Sequence, residues 1–244
     1  YNVVELNVPN DYTPSYAYDE TQGVVTVTNT LEISKIDISA TKVWNDASNQ
    51  DNIRPAEVVL TLYANGIQTS STVTVSAANN WTAQWTDLYE YYNGKKITYT
   101  VVEENVPTGY TVAVTGTMAG GFTVTNTYTP KTVSVPVNKV WVDADDQDGI
   151  RPDSITVTLF ADGVAVQTMA LSASVNWAGS FQNLPEYKIV NGQGGVKIVY
   201  TVDEVTVPNG YTKTVNGNTI TNTHEVEKTQ LSAIKVWDDA ANQD

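Results

Sequence analysis

Three lysines in this chain stand where an alternating apolar pattern calls for a buried side chain. Residues 36–44 read IDISATKVW, residues 133–141 read VSVPVNKVW, and residues 231–237 read LSAIKVW. In a strand, side chains switch faces at every residue. Ile36, Ile38, Ala40, Lys42 and Trp44 therefore share one face, as do Val133, Val135, Val137, Lys139 and Trp141, and Leu231, Ala233, Lys235 and Trp237. A buried ammonium costs several kcal/mol unless it is paired or neutralised. Two further polar types break apolar faces at matching places. Glu103 follows Ile97, Tyr99 and Val101; Glu204 follows Tyr200 and Val202; Glu5 follows Tyr1 and Val3. Asn126 shares a face with Phe122, Val124 and Tyr128, Asn222 with Ile220, and Asn29 with Val25 and Val27. Each copy of the pattern thus aims a lysine, a glutamate and an asparagine inward.

Such a triad has two readings. One is an unreacted buried Lys–Glu pair with the asparagine as its hydrogen-bond partner, which contributes little net stability. The other is a reaction. Burial disfavours the charged forms of an amine and a carboxyl alike, and a neutral lysine amine is a nucleophile. It can attack the asparagine side-chain carbonyl, while a protonated glutamate hydrogen-bonds that carbonyl and shuttles protons as ammonia leaves. The product is a Lys–Asn isopeptide bond.

The elements that must position these groups come from an internal repeat. Lys42, Lys139 and Lys235 are spaced by 97 and 96 residues, and so are Asn29, Asn126 and Asn222. That period is too long for a solenoid repeat and equals a whole small β domain, so the chain reads as domains on a string. Residues 1–32 read as the C-terminal part of a preceding repeat, 33–128 and 129–225 as complete repeats, and 226–244 as the start of another. The joins are only a few residues long, which leads to the expectation of an extended rod. Within residues 33–128, strands are expected at 36–44, 58–64, 72–75, 81–88, 97–103, 110–114 and 122–128. Asn65-Gly66 and Asp162-Gly163 are two-residue hairpin signals. About seven short strands at this spacing indicate an all-β, immunoglobulin-like sandwich, with no helix longer than a turn.

Composition narrows the function. The 244 residues carry a formal net charge of −14 and no cysteine. Nucleic acid demands basic patches, so it is excluded as a partner, and binding to anionic membranes is disfavoured. Disulfides are impossible, and no apolar run is long enough to span a bilayer. No secretion or cell-wall sorting signal is visible, and a start at Tyr1 without methionine reads as a window of something longer.

The motifs resemble the Cna protein B-type domain family, the B-type repeats of Gram-positive collagen adhesins. The resemblance rests on KVW at Lys42–Trp44 and Lys139–Trp141, on NQDNIRP at 49–55 and DQDGIRP at 146–152, and on the YTVxE runs ending at Glu103 and Glu204. It rests also on the pairs Gly109-Tyr110 and Gly210-Tyr211 and on the TNT segments around Asn126 and Asn222, and it covers essentially the whole chain. It implies tandem prealbumin-like sandwiches on a bacterial cell surface, anchored to the wall through a region outside this chain. It also implies bonds Lys42–Asn126, catalysed by Glu103, and Lys139–Asn222, catalysed by Glu204. Glu5 and Asn29 would need a lysine from before this chain, and Lys235 an asparagine from beyond it. No cofactor or metal is implied, and the expected partners are neighbouring repeats. The function expected is a structural stalk. The alternatives are a binding module for host matrix protein, mucin or glycan, and a subunit of a self-assembled extracellular filament. Turnover catalysis is not expected, because the chemistry is single-use.

Other signals are weaker. Asp143, Asp145, Asp146 and Asp148 before Gly149 invite calcium, but the spacing lacks the terminal glutamate of an EF-hand loop. A loop held by Arg54 or Arg151 on nearby carboxylates is favoured instead. His224 is the lone histidine, so no histidine-based triad is available, and it is read as incidental. Gly120-Gly121 and Gly194-Gly195 have no phosphate-loop context. Tyr89, Tyr91 and Tyr92 fit a sugar- or protein-binding cluster, but partly buried loop tyrosines are the favoured reading.

Overall fold

A computed structural model describes residues 2–238. The chain divides into two compact units, residues 1–49 with 53–129 and residues 50–52 with 130–244.

The first unit opens with an antiparallel hairpin, β1 (Tyr12–Asp19) and β2 (Val24–Leu31). The first complete repeat then begins with β3 (Lys35–Asn45), β4 (Glu57–Ala64), β5 (Ile67–Ser76) and β6 (Thr82–Tyr89). A small hairpin follows, β7 (Tyr91–Tyr92) with β8 (Lys95–Lys96). The repeat ends with β9 (Tyr99–Glu103), β10 (Thr111–Thr117) and β11 (Gly121–Thr127). One sheet runs β10-β11-β3-β6 and the other β5-β4-β9. The first and last strands of the repeat, β3 and β11, are therefore central neighbours, and they pair in parallel with Lys42 opposite Val124 and Trp44 opposite Asn126. Between the sheets lies a core that includes Ile38, Leu60, Leu62, Val75, Trp85, Val101 and Val124.

The second unit repeats the plan. It comprises β12 (Thr132–Val142), β13 (Ser154–Ala161), β14 (Val164–Ser172), β15 (Ala178–Pro185), β16 (Tyr187–Val190), β17 (Gln193–Lys197), β18 (Tyr200–Asp203), β19 (Thr212–Asn216) and β20 (Thr219–Thr223). Its sheets run β15-β12-β20-β19 and β14-β13-β18, with β16-β17 as the small hairpin. Here β12 and β20 are the parallel pair, with Lys139 opposite Ile220 and Trp141 opposite Asn222.

Local chemistry explains the elements. Alternation buries Ile38, Ala40 and Lys42 and leaves Asp37, Ser39 and Thr41 outward on β3. Asn65-Gly66 turns β4 into β5 with left-handed backbone at both residues, φ 51° and 78°, as a two-residue hairpin of this type requires. The only helical pieces among the described residues are the single 3-10 turns Ala77–Asn79 and Ala173–Val175.

Two expectations are corrected at the ends. The lysine-bearing stretch 231–237 is not a strand, and Leu231, Ile234 and Val236 are exposed. Lys42 and Lys139 lie on strands flanked on both sides, whereas among the described residues nothing pairs with 231–237. Residues 2–9 are likewise not a strand, and among the described residues no strand pairs with them. Tyr1 and residues 239–244, the end of the stretch expected to start another repeat, lie outside the described residues.

Candidate functional site

Each complete repeat assembles its triad from both sheets. β3 supplies Lys42, its parallel neighbour β11 supplies Asn126, and Glu103 crosses from β9 of the opposing sheet. The main chain at Lys42 is fixed by its N–H, which donates to the Trp81 carbonyl at 2.7 Å. The side chains of Lys42 and Glu103 are both wholly buried, with Nζ 3.7 Å from Oε2. Asn126 Nδ2 donates to Glu103 Oε1 at 2.8 Å. Glu103 therefore touches the amine with one oxygen and the amide nitrogen with the other. Lys42 Nζ also donates to the carbonyls of Val43 at 3.0 Å and Val124 at 3.3 Å. Asn126 Oδ1 has no hydrogen-bond partner among the described residues. Desolvation pulls the Lys42 amine down to about 8, against the opposing pull of Glu103.

In the second repeat, Lys139 of β12, Glu204 just after β18 and Asn222 of β20 are likewise buried. Lys139 Nζ lies 3.6 Å from Glu204 Oε2, both side chains wholly buried, and desolvation again pulls the amine down to about 8. The Glu–Asn contact differs. Neither oxygen of Glu204 and neither polar atom of the Asn222 amide has a hydrogen-bond partner among the described residues.

The structure adds a cluster that closes the lysine's end of the core. Trp44 sits edge-on to Trp81 at 5.3 Å and to Tyr110 at 5.1 Å, and Lys42 Nζ lies 4.1 Å from the centre of its ring. Below it, buried Asp46 accepts two hydrogen bonds from the Arg54 guanidinium and one from Tyr110 Oη at 2.8 Å. Burial pulls the Asp46 carboxyl up, but its bonds to Arg54, Tyr110 and the Asn49 N–H win and hold it below the ordinary range. Asp143, Arg151, Tyr211, Trp141 and Trp177 repeat the cluster. There the Arg151 hydrogen bond is the main cause that holds Asp143 at about 2, while burial and the bond to Asp143 push Tyr211 up to about 12. The sequence pattern points to Arg54 and Arg151 but not to Asp46 and Asp143 as their respective partners. The available signal was an aspartate two residues after each KVW tryptophan.

The remaining predicted residues fall outside these centres. Asn29 Nδ2 donates to Glu5 Oε1 at 3.0 Å, so that pair meets, but Asn29 is exposed and Glu5 half-buried rather than inward-facing. Lys235 Nζ lies 3.3 Å over the Trp237 ring, and Lys235 is exposed rather than inward-facing. Asp143 is committed to Arg151 and Tyr211, and no group of three or more potential metal ligands forms among the described residues. His224 is engaged rather than incidental: its ring contacts Asp148 Oδ2 at 2.9 Å and the Gly210 carbonyl at 2.8 Å. Tyr89, Tyr91 and Tyr92 are exposed rather than partly buried, and they line an open cleft with Asp11, Glu32 and Glu90.

Two sandwiches of one plan, each with first and last strands paired in parallel over a buried Lys–Glu–Asn centre, define a tandem B-type repeat. The chain belongs to the Cna protein B-type domain family, whose model matches residues 38–127 and 135–223. It is 40% identical to a collagen adhesin of Staphylococcus aureus over 99% of this chain, and it spans 20% of that protein. The crystal structure of two B repeat units of the collagen binding protein of Staphylococcus aureus superposes with a TM-score of 0.72 at 40% identity, covering 88% of this chain and 55% of that one. B-type repeats are structural domains of adhesins.

Proposed function

We propose that this chain is a stalk segment of a Gram-positive cell-surface adhesin, and that each complete repeat locks itself with a Lys–Asn isopeptide bond. The repeats taken as the working units are 33–128 and 129–225, with 1–32 and 226–244 belonging to neighbouring repeats. The observation that carries the reading is Glu103, buried and touching both the Lys42 amine and the Asn126 amide nitrogen.

The reaction follows from that placement. Lys42 Nζ, as the free amine, attacks Asn126 Cγ and forms the new C–N bond. Glu103 takes the proton that the amine sheds and delivers one to Nδ2, which it already holds. The Cγ–Nδ2 bond then breaks and ammonia departs. Desolvation at Lys42 favours the free amine, and burial keeps water from competing as nucleophile. Lys139, Glu204 and Asn222 take the same parts in the second repeat. Each residue is consumed or restored once, so the chemistry is maturation and not turnover.

The mechanical consequence comes from topology. Tension enters a repeat at its first strand and leaves at its last, and those strands are adjacent and parallel. A bond between them carries the load past the rest of the sandwich. It also closes loops of 85 residues (42 to 126) and 84 residues (139 to 222). On the chain-entropy account of crosslinks, each is worth about 4–5 kcal/mol. Contact with host matrix or glycan is assigned to regions outside this chain. Single-molecule stretching tests the role: wild-type repeats should resist extension, and Lys42→Ala should release the first repeat only. Equal extension of wild type and variant would contradict it.

A second reading has its own observation. The three tyrosines that line the cleft, Tyr89, Tyr91 and Tyr92, are not repeated in the second repeat, where the aligned positions are Pro185, Tyr187 and Lys188. This favours a ligand contact on the first repeat, tested by whether Tyr91→Ala with Tyr92→Ala weakens attachment of the chain to a glycan array.

A further inference from the structure

The two repeats hold their central glutamate by different means, and the difference traces to two surface positions. In the first repeat, the residue before the glutamate is Val102, and the second residue after the Gly-Tyr pair is Val112; their counterparts in the second repeat are Asp203 and Lys213. The first repeat keeps Glu103 within strand β9, in register with Leu60 of β4. In the second repeat, β18 ends at Asp203, opposite Thr158, and Glu204 has left the ladder.

Its main chain is caught instead by Lys213. The ammonium donates to the Glu204 carbonyl at 2.7 Å and to Asp203 Oδ1 at 2.5 Å. β19, which carries Lys213, edges one sheet, and β18 edges the other, so the contact bridges the open side of the sandwich. The Lys213 side chain is only 20% exposed, so this is a seated ammonium and not a free surface charge. The carboxyl of Glu204 needs that support. No hydrogen bond orients it among the described residues, and only the 3.6 Å contact with Lys139 does.

We propose that Lys213, seated on Asp203, is the positioning residue for Glu204 in the second repeat, replacing the strand pairing that fixes Glu103 in the first. The proposal rests on the crosslinking reading above. Its consequence is that the second bond depends on a solvent-edge ion pair, and the first does not.

Pulse-labelled cell-free synthesis of the whole chain, quenched in acid at intervals, reads the rate of each bond separately as the branched peptide joining Lys42 to Asn126 or Lys139 to Asn222. Lys213→Val should slow the second bond roughly 10-fold to 100-fold, the scale of a misplaced catalytic group, and leave the first unchanged. Lys213→Arg, which keeps a cationic donor, should restore most of the rate. Asp203→Asn, a milder change that leaves the carbonyl contact, should slow it less than Lys213→Val and secures the test if that variant folds poorly. A merely structural residue would not show rescue by arginine with the first repeat as internal reference. Lys213→Val reacting at the wild-type rate, or Lys213→Arg as slow as Lys213→Val, overturns the proposal while crosslinking stands. A wild-type chain that forms neither branched peptide overturns the crosslinking reading and this proposal together.

Discussion

The Glu103–Asn126 and Glu5–Asn29 pairs are chemically the same contact in different surroundings. The amide donates to the carboxylate at 2.8 Å in one and 3.0 Å in the other. Around Glu103 and Asn126, two sheets exclude water and a neighbouring strand brings in Lys42. Around Glu5 and Asn29 there is only the hairpin β1–β2, the asparagine is exposed, and no lysine pairs with Glu5 among the described residues. The Glu–Asn contact is thus a local product of the strand pattern. What the sandwich adds is a desolvated amine beside the carboxylate, which the hairpin does not bring.

Glu103→Ala should abolish the first bond, leave the second intact and cost the first repeat about 4–5 kcal/mol, read by chemical denaturation followed by peptide mapping. Arg54→Ala comes next. It strands the buried Asp46 carboxylate and should cost about 3 kcal/mol in the same denaturation assay, without removing any member of the triad.

A subtler effect is the pH dependence of an uncrosslinked repeat. In Asn126→Ala, Lys42 stays an amine whose folded pKa of about 8 lies below its ordinary 10.5. Between those values the unfolded chain binds more protons than the folded one, so stability should rise with pH across that window. The crosslinked repeat has no such amine and should lack the rise, as melts at pH 8 and pH 10 would show. The smallest effect belongs to the exposed pair: Glu5→Ala should change stability by no more than about 0.5 kcal/mol.

Much of this was legible in the sequence for a physical reason. Period-two alternation reports burial directly, so it placed Lys42, Glu103 and Asn126 on inward faces before any contact was known. Asn65-Gly66 fixed its hairpin because few other residues accept left-handed backbone there. Alternation fails where burial is not set by the strand itself. Stretch 231–237 carries the same pattern as β3 and remains exposed, since a strand needs neighbours as well as a pattern. Asp46 lies in a polar loop, and only the arrival of Arg54 and Tyr110 from elsewhere explains why it is buried. The hairpin β7–β8 is too short for any periodicity. The Lys213 clamp joins edges of two sheets, and a single sequence shows neither edge.

A Lys–Asn bond expels ammonia, so intact-mass measurement of the denatured wild-type chain tests for it. The measured mass should fall below the sequence mass by two ammonia molecules, one from each complete repeat, and by one in Glu103→Ala or Glu204→Ala. A wild-type chain at its unmodified sequence mass would contradict it.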